Sequence, residues 1–209
     1  MAHGNREIEI KLRLPDAGHG RRLLRAAGFR VSKPRVFESN TLFDTAGLRL
    51  RHAGLMLRVR DVNGAAKLTY KGPASVGKHK DREELEIDAS DPPLLAAILE
   101  KLGFAPGFRY EKFRTEFRRD PGGEATLDET PIGVFLELEG SPRWIDRTAR
   151  RLGFTEEDYV TASYAALYFD WCARQRREPA NMVFSSKPAA PARASARMAK
   201  RRPKGAAFS

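Results

Sequence analysis

The sequence predicts an α+β protein, with eight antiparallel strands in one sheet or barrel and a few helices on its apolar side. Three observations carry that expectation. Period-two alternation of apolar and charged residues recurs in eight segments, several links between them are short, and only four segments show helix caps. Short links suit antiparallel neighbours, because parallel strands need long crossovers.

The elements follow in order. Arg6–Leu14 places Ile8, Ile10, Leu12 and Leu14 on one face and Glu7, Glu9, Lys11 and Arg13 on the other. Asp16 caps a helix to about Ala27, ended by Gly28. Strands are expected at Arg35–Asp44, Leu55–Asp61 and Ala65–Gly72, the last two joined through an Asn-Gly pair in Val62–Gly64. Arg82–Asp88 is the fifth strand. Asp91, followed by Pro92 and Pro93, starts a helix carrying Leu94, Leu95, Ile98, Leu99 and Leu102, which Gly103 ends. Phe108–Arg119, Glu124–Glu129 and Gly133–Glu139 complete the strands, the first two linked by Asp120–Gly123. Ser141 and Pro142 begin a third helix ending at Gly153, and Ser163 caps a fourth from Tyr164 to about Ala173.

The net charge of +11 over 209 residues is unevenly placed. Residues 174–209 carry ten basic residues and one acid, Glu178, which leaves 28 basic and 26 acidic residues in 1–173. One domain is therefore expected over 1–173, with a basic, disordered tail over 174–209 that touches nucleic acid or another polyanion weakly. Removing 178–209 is expected to leave catalysis unchanged. No segment has the apolar length of a membrane span, and Met1–Asn5 lacks a signal peptide's apolar run, so no membrane and a cytoplasmic location are expected. The single cysteine, Cys172, excludes an intrachain disulfide and a cysteine-rich metal site.

Six strands present a charged stripe opposite an apolar one. Arg58 and Arg60 oppose Leu57 and Val59, and Lys67, Thr69 and Lys71 oppose Leu68 and Tyr70. Arg82, Glu84 and Glu86 oppose Leu85 and Ile87, and Lys112, Arg114 and Glu116 oppose Phe113 and Phe117. Glu137 and Glu139 oppose Val134, Leu136 and Leu138. Two arrangements fit. The charged faces look into bulk water, or the sheet closes around them with its apolar face beneath the helices. Dry burial of so many ions would cost several kcal/mol each, so an enclosed version must be hydrated, internally paired or filled by a ligand.

The sorting of charge supports enclosure. The first and last strands bring the carboxylate pairs Glu7/Glu9 and Glu137/Glu139, oxygen ligands suited to Mg²⁺ or Mn²⁺. Intervening strands bring Arg58, Arg60, Lys71, Lys112 and Arg114, donors suited to polyphosphate oxygens. Metal-holding acids beside a basic cradle are what phosphoryl chemistry requires.

Glu7-Ile8-Glu9-Ile10-Lys11 resembles the N-terminal Glu-x-Glu-x-Lys signature of the CYTH superfamily, the triphosphate tunnel metalloenzymes. Phe43-Asp44-Thr45, Arg58-x-Arg60, Lys71-Gly72-Pro73, Arg82-x-Glu84-x-Glu86, Lys112-x-Arg114, Asp128, Glu137-x-Glu139 and Ser163-Tyr164 follow in the family's order, so the resemblance covers about residues 6–170. Lys71-Gly72-Pro73 and Leu102-Gly103-Phe104 with Glu111-Lys112-x-Arg114 are most similar to the class IV adenylate cyclase branch.

The resemblance implies a closed eight-stranded antiparallel β-barrel, a tunnel with helices packed outside, together with a divalent cation and a triphosphate substrate. Glu7, Glu9, Glu137 and Glu139 would hold metal, with Asp128 in support. Lys11, Arg58, Arg60, Lys71, Arg82, Lys112 and Arg114 would bind phosphates, Lys11 and Glu9 would be catalytic, and Glu84 and Glu86 would be further tunnel acids. A cyclase would convert ATP to cyclic AMP and pyrophosphate. The alternatives are an inorganic or organic triphosphatase, including a thiamine triphosphatase-like one, and a non-catalytic polyanion-binding module. In thiamine triphosphatases a tyrosine two residues before the Phe/Tyr-Asp position partners the motif lysine; here that neighbourhood holds Leu42. A homodimer is implied by the cyclase resemblance alone.

Some residues read more plainly. Lys11 could simply pair with Glu7 or Glu9, and His79 reads as a solvated loop histidine. Trp144 and Trp171 read as core, and Cys172 as a packed structural thiol.

Overall fold

The computed structural model describes residues 5–75 and 77–186. Its strands are β1 (Asn5–Leu14), β2 (Arg30–Asp44), β3 (Met56–Val62), β4 (Ala65–Lys71), β5 (Lys80–Ala89), β6 (Ala105–Arg118), β7 (Gly123–Thr130) and β8 (Gly133–Gly140). They form one closed barrel in the order β1-β5-β4-β3-β2-β6-β7-β8, with every neighbouring pair antiparallel. Of the two arrangements open from the sequence, the enclosed one is observed.

Local chemistry sets the links. Asn63 and Gly64 form the two-residue turn between β3 and β4, with φ of 54° and 84°. That mirror-image turn matches strand twist, and the Asn-Gly pair tolerates its left-handed backbone. β2 begins at Arg30, ahead of the expected Arg35, and pairs with β6 through register shifts around Lys33. The irregular register hides its alternation from a strict period of two.

Helices α1 (Ala17–Ala26), α3 (Pro92–Lys101), α4 (Pro142–Arg151) and α5 (Tyr164–Arg174) start at the expected caps, where Asp16, Asp91, Ser141 and Ser163 accept backbone N–H bonds from His19, Leu94, Trp144 and Ala166. A short helix α2 (Arg49–His52) and a 3₁₀ turn over Glu156–Asp158 were not expected. α2 is held by Asp44, whose carboxylate accepts backbone N–H groups of Thr45, Leu50 and Arg51 at 2.7–2.9 Å. Four residues are too few to show helical periodicity.

The apolar strand faces lie outside, under helices. Ile10, Leu12, Leu127, Leu136 and Leu138 pack with Leu24, Trp144, Ile145 and Leu152 of the α1/α4 layer. A Cβ at Gly123 would stand 2.4 Å from the Trp144 ring, so only glycine lets the indole lie on the β7–β8 end. α3 covers Phe43, Val59 and Ala66 through Leu99. α5 is placed differently, because its Tyr164, Leu167, Tyr168 and Cys172 cluster with Tyr110 and Phe135 at one end of the barrel.

The chain remains ordered beyond the boundary expected at 173. Met182, 1% exposed, exchanges backbone hydrogen bonds with Arg109 and Glu111 of β6, and Phe184 packs on Phe113. Two isolated anchors in a polar stretch carry no periodic signal, so composition alone placed this strap in the tail. The basic run from Lys200 to Lys204 lies outside the described residues. Among the described residues, no helix is long and apolar enough to cross a membrane.

Candidate active site

The inward side chains enclose a bore of about 480 Å³. Of the candidate residues, Glu7, Glu9 and Lys11 from β1, Arg58 and Arg60 from β3, Lys71 from β4, and Arg82, Glu84 and Glu86 from β5 line it. So do Lys112 and Arg114 from β6 and Glu137 and Glu139 from β8. In all, eight carboxylates and ten cations line the space, the remainder being Lys33, Lys67, Lys80, Glu116 and Glu124.

Asp128 departs from the expectation. It is 0% exposed and does not line the bore. Its carboxylate accepts from Lys112 Nζ at 2.7 Å, Arg114 Nε at 2.8 Å and Nη2 at 2.7 Å, and the Tyr164 hydroxyl at 2.7 Å. Both oxygens are engaged, so Asp128 braces the bore-lining cations Lys112 and Arg114 from behind. The resemblance that gave Asp128 a supporting place among the metal acids could not show that four donors from β6 and α5 would bury it.

The acid-rich side is built by β1, β5 and β8. Register sets Glu9 opposite Glu139 and Lys11 opposite Glu137. Glu7 accepts from Lys71 at 2.6 Å and Arg82 at 3.3 Å, while Glu9 accepts from Lys11 at 3.0 Å and Lys80 at 2.6 Å. Lys11 also stands 3.3 Å from Glu137. Burial alone would lower the Lys11 pKa, but Glu9 and Glu137 outweigh it and hold the ammonium charged. Likewise, burial pushes Glu9 up, but Lys11 and Lys80 prevail and keep it ionised. Glu139 is pushed up to about 7 by its partial removal from water and by the like charges of Glu7 and Glu9.

Among the described residues, no group of three acids stands ready-made in ligating geometry. The donor set nevertheless suits a hard divalent cation, because the carboxylates on β1 and β8 adjoin and Glu139 is crowded by the like charges of Glu7 and Glu9.

On the other side, Arg58 donates to Tyr110, Thr69 and Glu86, and Arg60 Nε donates to Asn40 Oδ1 at 3.1 Å. Tyr164 enters from α5, its ring 5.3 Å from Lys11 Nζ and 5.1 Å from Lys112 Nζ. Tyr164 thus stands beside both lysines although it belongs to the last helix, while Leu42 lines the neighbouring apolar cavity.

A second cavity of about 410 Å³ adjoins the bore and shares Met56, Lys80, Arg82 and Ser163 with it. It lies between α2 and α5, and Leu42, Leu48, Leu50, Leu55, Phe108 and Phe169 make it mainly apolar.

Sequence reasoning missed Lys80, Glu38, Tyr110 and Tyr164. Lys80 lies two residues before Arg82 on the same face, a signal obscured by the preceding loop. Glu38 and Asn40 alternate on β2, but no further charge extends the stripe. His79 is not solvated: its side chain is 12% exposed and its Nε2 lies 2.8 Å from Asp146 of α4. Trp144 and Cys172 are core, Trp171 is partly buried against the α5 cluster, and Lys11 pairs with Glu9 while lining the bore.

Comparison with known proteins agrees with this architecture. The CYTH domain family profile matches residues 5–164. A Methanocaldococcus jannaschii protein named "putative adenylate cyclase" is 33% identical over 136 residues, 65% of this chain and 77% of that protein. Among solved structures, a Vibrio parahaemolyticus protein described as a "putative adenylate cyclase" superposes with a TM-score of 0.69 at 21% identity, covering 79% of this chain and 98% of its own. A Hippeastrum protein described as a "putative adenylyl cyclase" with a dominant triphosphatase activity gives 0.58 at 21% identity, covering 83% and 97%. These structures share the fold. With the profile spanning most of the chain and the barrel closed around its charged stripes, this chain belongs to the CYTH domain family.

Proposed function

We propose that this chain is a divalent-metal-dependent enzyme acting on an organic triphosphate, cyclising ATP to cyclic AMP and pyrophosphate. The observation that carries this reading is the adjacency of two unlike cavities. An ionic bore sized for a few phosphates lies beside an apolar cavity, the two sharing Met56, Lys80, Arg82 and Ser163 in their walls. A polyphosphate alone would use only the bore; a triphosphate bearing an organic group uses both.

Charge supports a metal-loaded substrate. Eight lining carboxylates nearly balance ten lining cations, and Glu38 and Asp128 behind them complete the balance. A bore without net charge gains little from a bare polyanion, whereas a triphosphate with its cations brings charges of both signs. Glu7, Glu9, Glu137 and Glu139 would hold Mg²⁺ or Mn²⁺, which when bound supplies Lewis-acid neutralisation of phosphate oxygens. An anion-binding module would gain nothing from those acids.

Arg58, Arg60, Lys71, Arg82, Lys112 and Arg114 bind and orient the phosphates as charge-assisted donors. Asp128 anchors Lys112 and Arg114. Lys11, kept protonated by Glu9 and Glu137, donates to an oxygen that gains charge and does not abstract a proton. A cyclase must therefore deprotonate the ribose 3′-hydroxyl elsewhere, and this keeps hydrolysis of the terminal phosphate as the second reading.

ATP and inorganic tripolyphosphate, each with Mg²⁺ or Mn²⁺, decide between them. Cyclic AMP from ATP is expected. Phosphate from either compound without cyclic AMP would move the assignment to a triphosphatase, and no turnover of both would overturn the enzymatic reading.

A further inference from the structure

Two polar residues of β2 stand behind the phosphate-binding wall without touching the bore. Register sets Glu38 opposite Lys112 of β6, and Asn40 opposite Arg60 of β3. Glu38 is 3% exposed and Asn40 0%. Glu38 Oε2 lies 3.5 Å from Arg60 Nε and 3.6 Å from Lys112 Nζ, in ion contact with both but beyond hydrogen-bond length. Neither that oxygen nor Asn40 Nδ2 has a hydrogen-bond partner among the described residues. Burial would protonate Glu38, but Lys112, Arg60, Arg114 and Arg58 outweigh it and keep the carboxylate ionised.

We infer that Glu38, seconded by Asn40, is a positioning residue that holds Arg60 and Lys112 in the arrangement that receives the substrate's phosphates. Asn40 Oδ1 engages Arg60 through Nε, with Glu38 close to the same nitrogen. This leaves the two terminal guanidinium nitrogens, the pair that matches phosphate oxygens, for the ligand. Lys112 is held between Asp128 and Glu38, so its ammonium is fixed from two directions.

Glu38 helps to balance the charge of the bore, but balance alone does not require an acid at this one position between Arg60 and Lys112. A buried carboxylate behind anion-binding cations repels the ligand, and an apolar residue would serve stability as well. What the acid adds is a fixed place for two cations that would otherwise repel each other and spread apart.

This inference rests on the bore being a phosphate site, and its test reads binding separately from turnover. Inorganic tripolyphosphate with Mg²⁺ is titrated calorimetrically into the full chain and into the Glu38→Gln, Arg60→Ala and doubly substituted forms. Glu38→Gln should bind about tenfold more weakly although it removes a negative charge, and its effect should shrink in the Arg60→Ala background. Unchanged or tighter binding by Glu38→Gln, or effects that simply multiply in the double variant, would overturn it. If Glu38→Gln does not fold, Glu38→Asp keeps the charge one methylene short. Weaker binding at a retained unfolding midpoint supports the inference, and parental binding opposes it. Parallel turnover of ATP separates the two claims: full turnover with an indifferent Glu38 removes this inference alone, and binding without turnover in the parent removes the enzymatic reading alone.

Discussion

The two sides of the bore hold their charges in different ways. Where β1, β5 and β8 meet, Glu9 is met by Lys11 and Lys80, single points of charge on flexible stems. Glu7 and Glu137 are met by one lysine and one arginine each, Lys71 with Arg82 and Lys11 with Arg114. Where β3, β6 and β7 meet, the cations are mainly arginines braced from behind by acids outside the bore, as Arg114 is by both oxygens of Asp128. A lysine can withdraw and leave its carboxylate to another cation, whereas a bidentate arginine pair keeps its geometry. The first side is built for exchange of counter-ions and the second for permanence.

Asp128→Asn should break the permanent side most severely. It removes the buried carboxylate that Lys112 and Arg114 share, leaving Glu38 to the one and Glu137 to the other. Removal of one partner from such a buried group costs about 3–5 kcal/mol, read as a fall in the urea unfolding free energy. A loss below about 1 kcal/mol would show that the two sides do not differ.

The strap behind the same side comes next. Ending the chain at residue 177 removes Met182 and Phe184 from β6 and should cost about 2–4 kcal/mol, whereas ending it at 186 should leave the melting temperature unchanged. The expectation from sequence concerned catalysis alone, which removal from 178 is expected to leave unchanged; the packing of Met182 and Phe184 adds an expected cost in stability.

On the exchangeable side, Glu9→Gln should cost only about 1–2 kcal/mol, because Lys11 retains Glu137. It should also abolish the thermal stabilisation that Mg²⁺ or Mn²⁺ gives the parent. A variant that keeps that metal response would remove Glu9 from the metal-holding set.

The smallest effect concerns Glu139. Its pKa is raised to about 7 in the folded protein, so the native state holds an extra proton above the ordinary carboxylate range. That contribution to stability is complete below about pH 4 and is lost as pH rises through 7. Glu139→Gln should therefore match the parent in acid and exceed it slightly at pH 8. A pH-independent difference between the two melting curves would contradict the assigned cause.

Much of the barrel was legible because β-structure writes its two faces at alternate positions. Ile10 and Leu12 against Glu9 and Lys11 need no partner strand to be recognised. Lys80 and Glu38 were not legible, because a loop precedes one and the stripe stops after Asn40 beyond the other. Tyr164 was legible as the start of a helix and as part of the Ser163-Tyr164 motif, but nothing local indicates that its hydroxyl meets Asp128, 36 residues away. The strap at Met182 was hidden by its polar neighbours.

By itself, the sequence determined which residue types share each strand face, where helices start, and that the carboxylate pairs Glu7/Glu9 and Glu137/Glu139 come from the first and last strands. These are properties of nearest neighbours, of backbone period and of caps. Closure of the sheet decided the rest: that the ionic faces turn inward, that Glu7 meets Lys71 across 64 residues, and that Asp128 stands behind the wall instead of in it. Such pairings depend on register between strands far apart in the chain, and only the whole barrel, with its apolar face covered by helices, fixes that register.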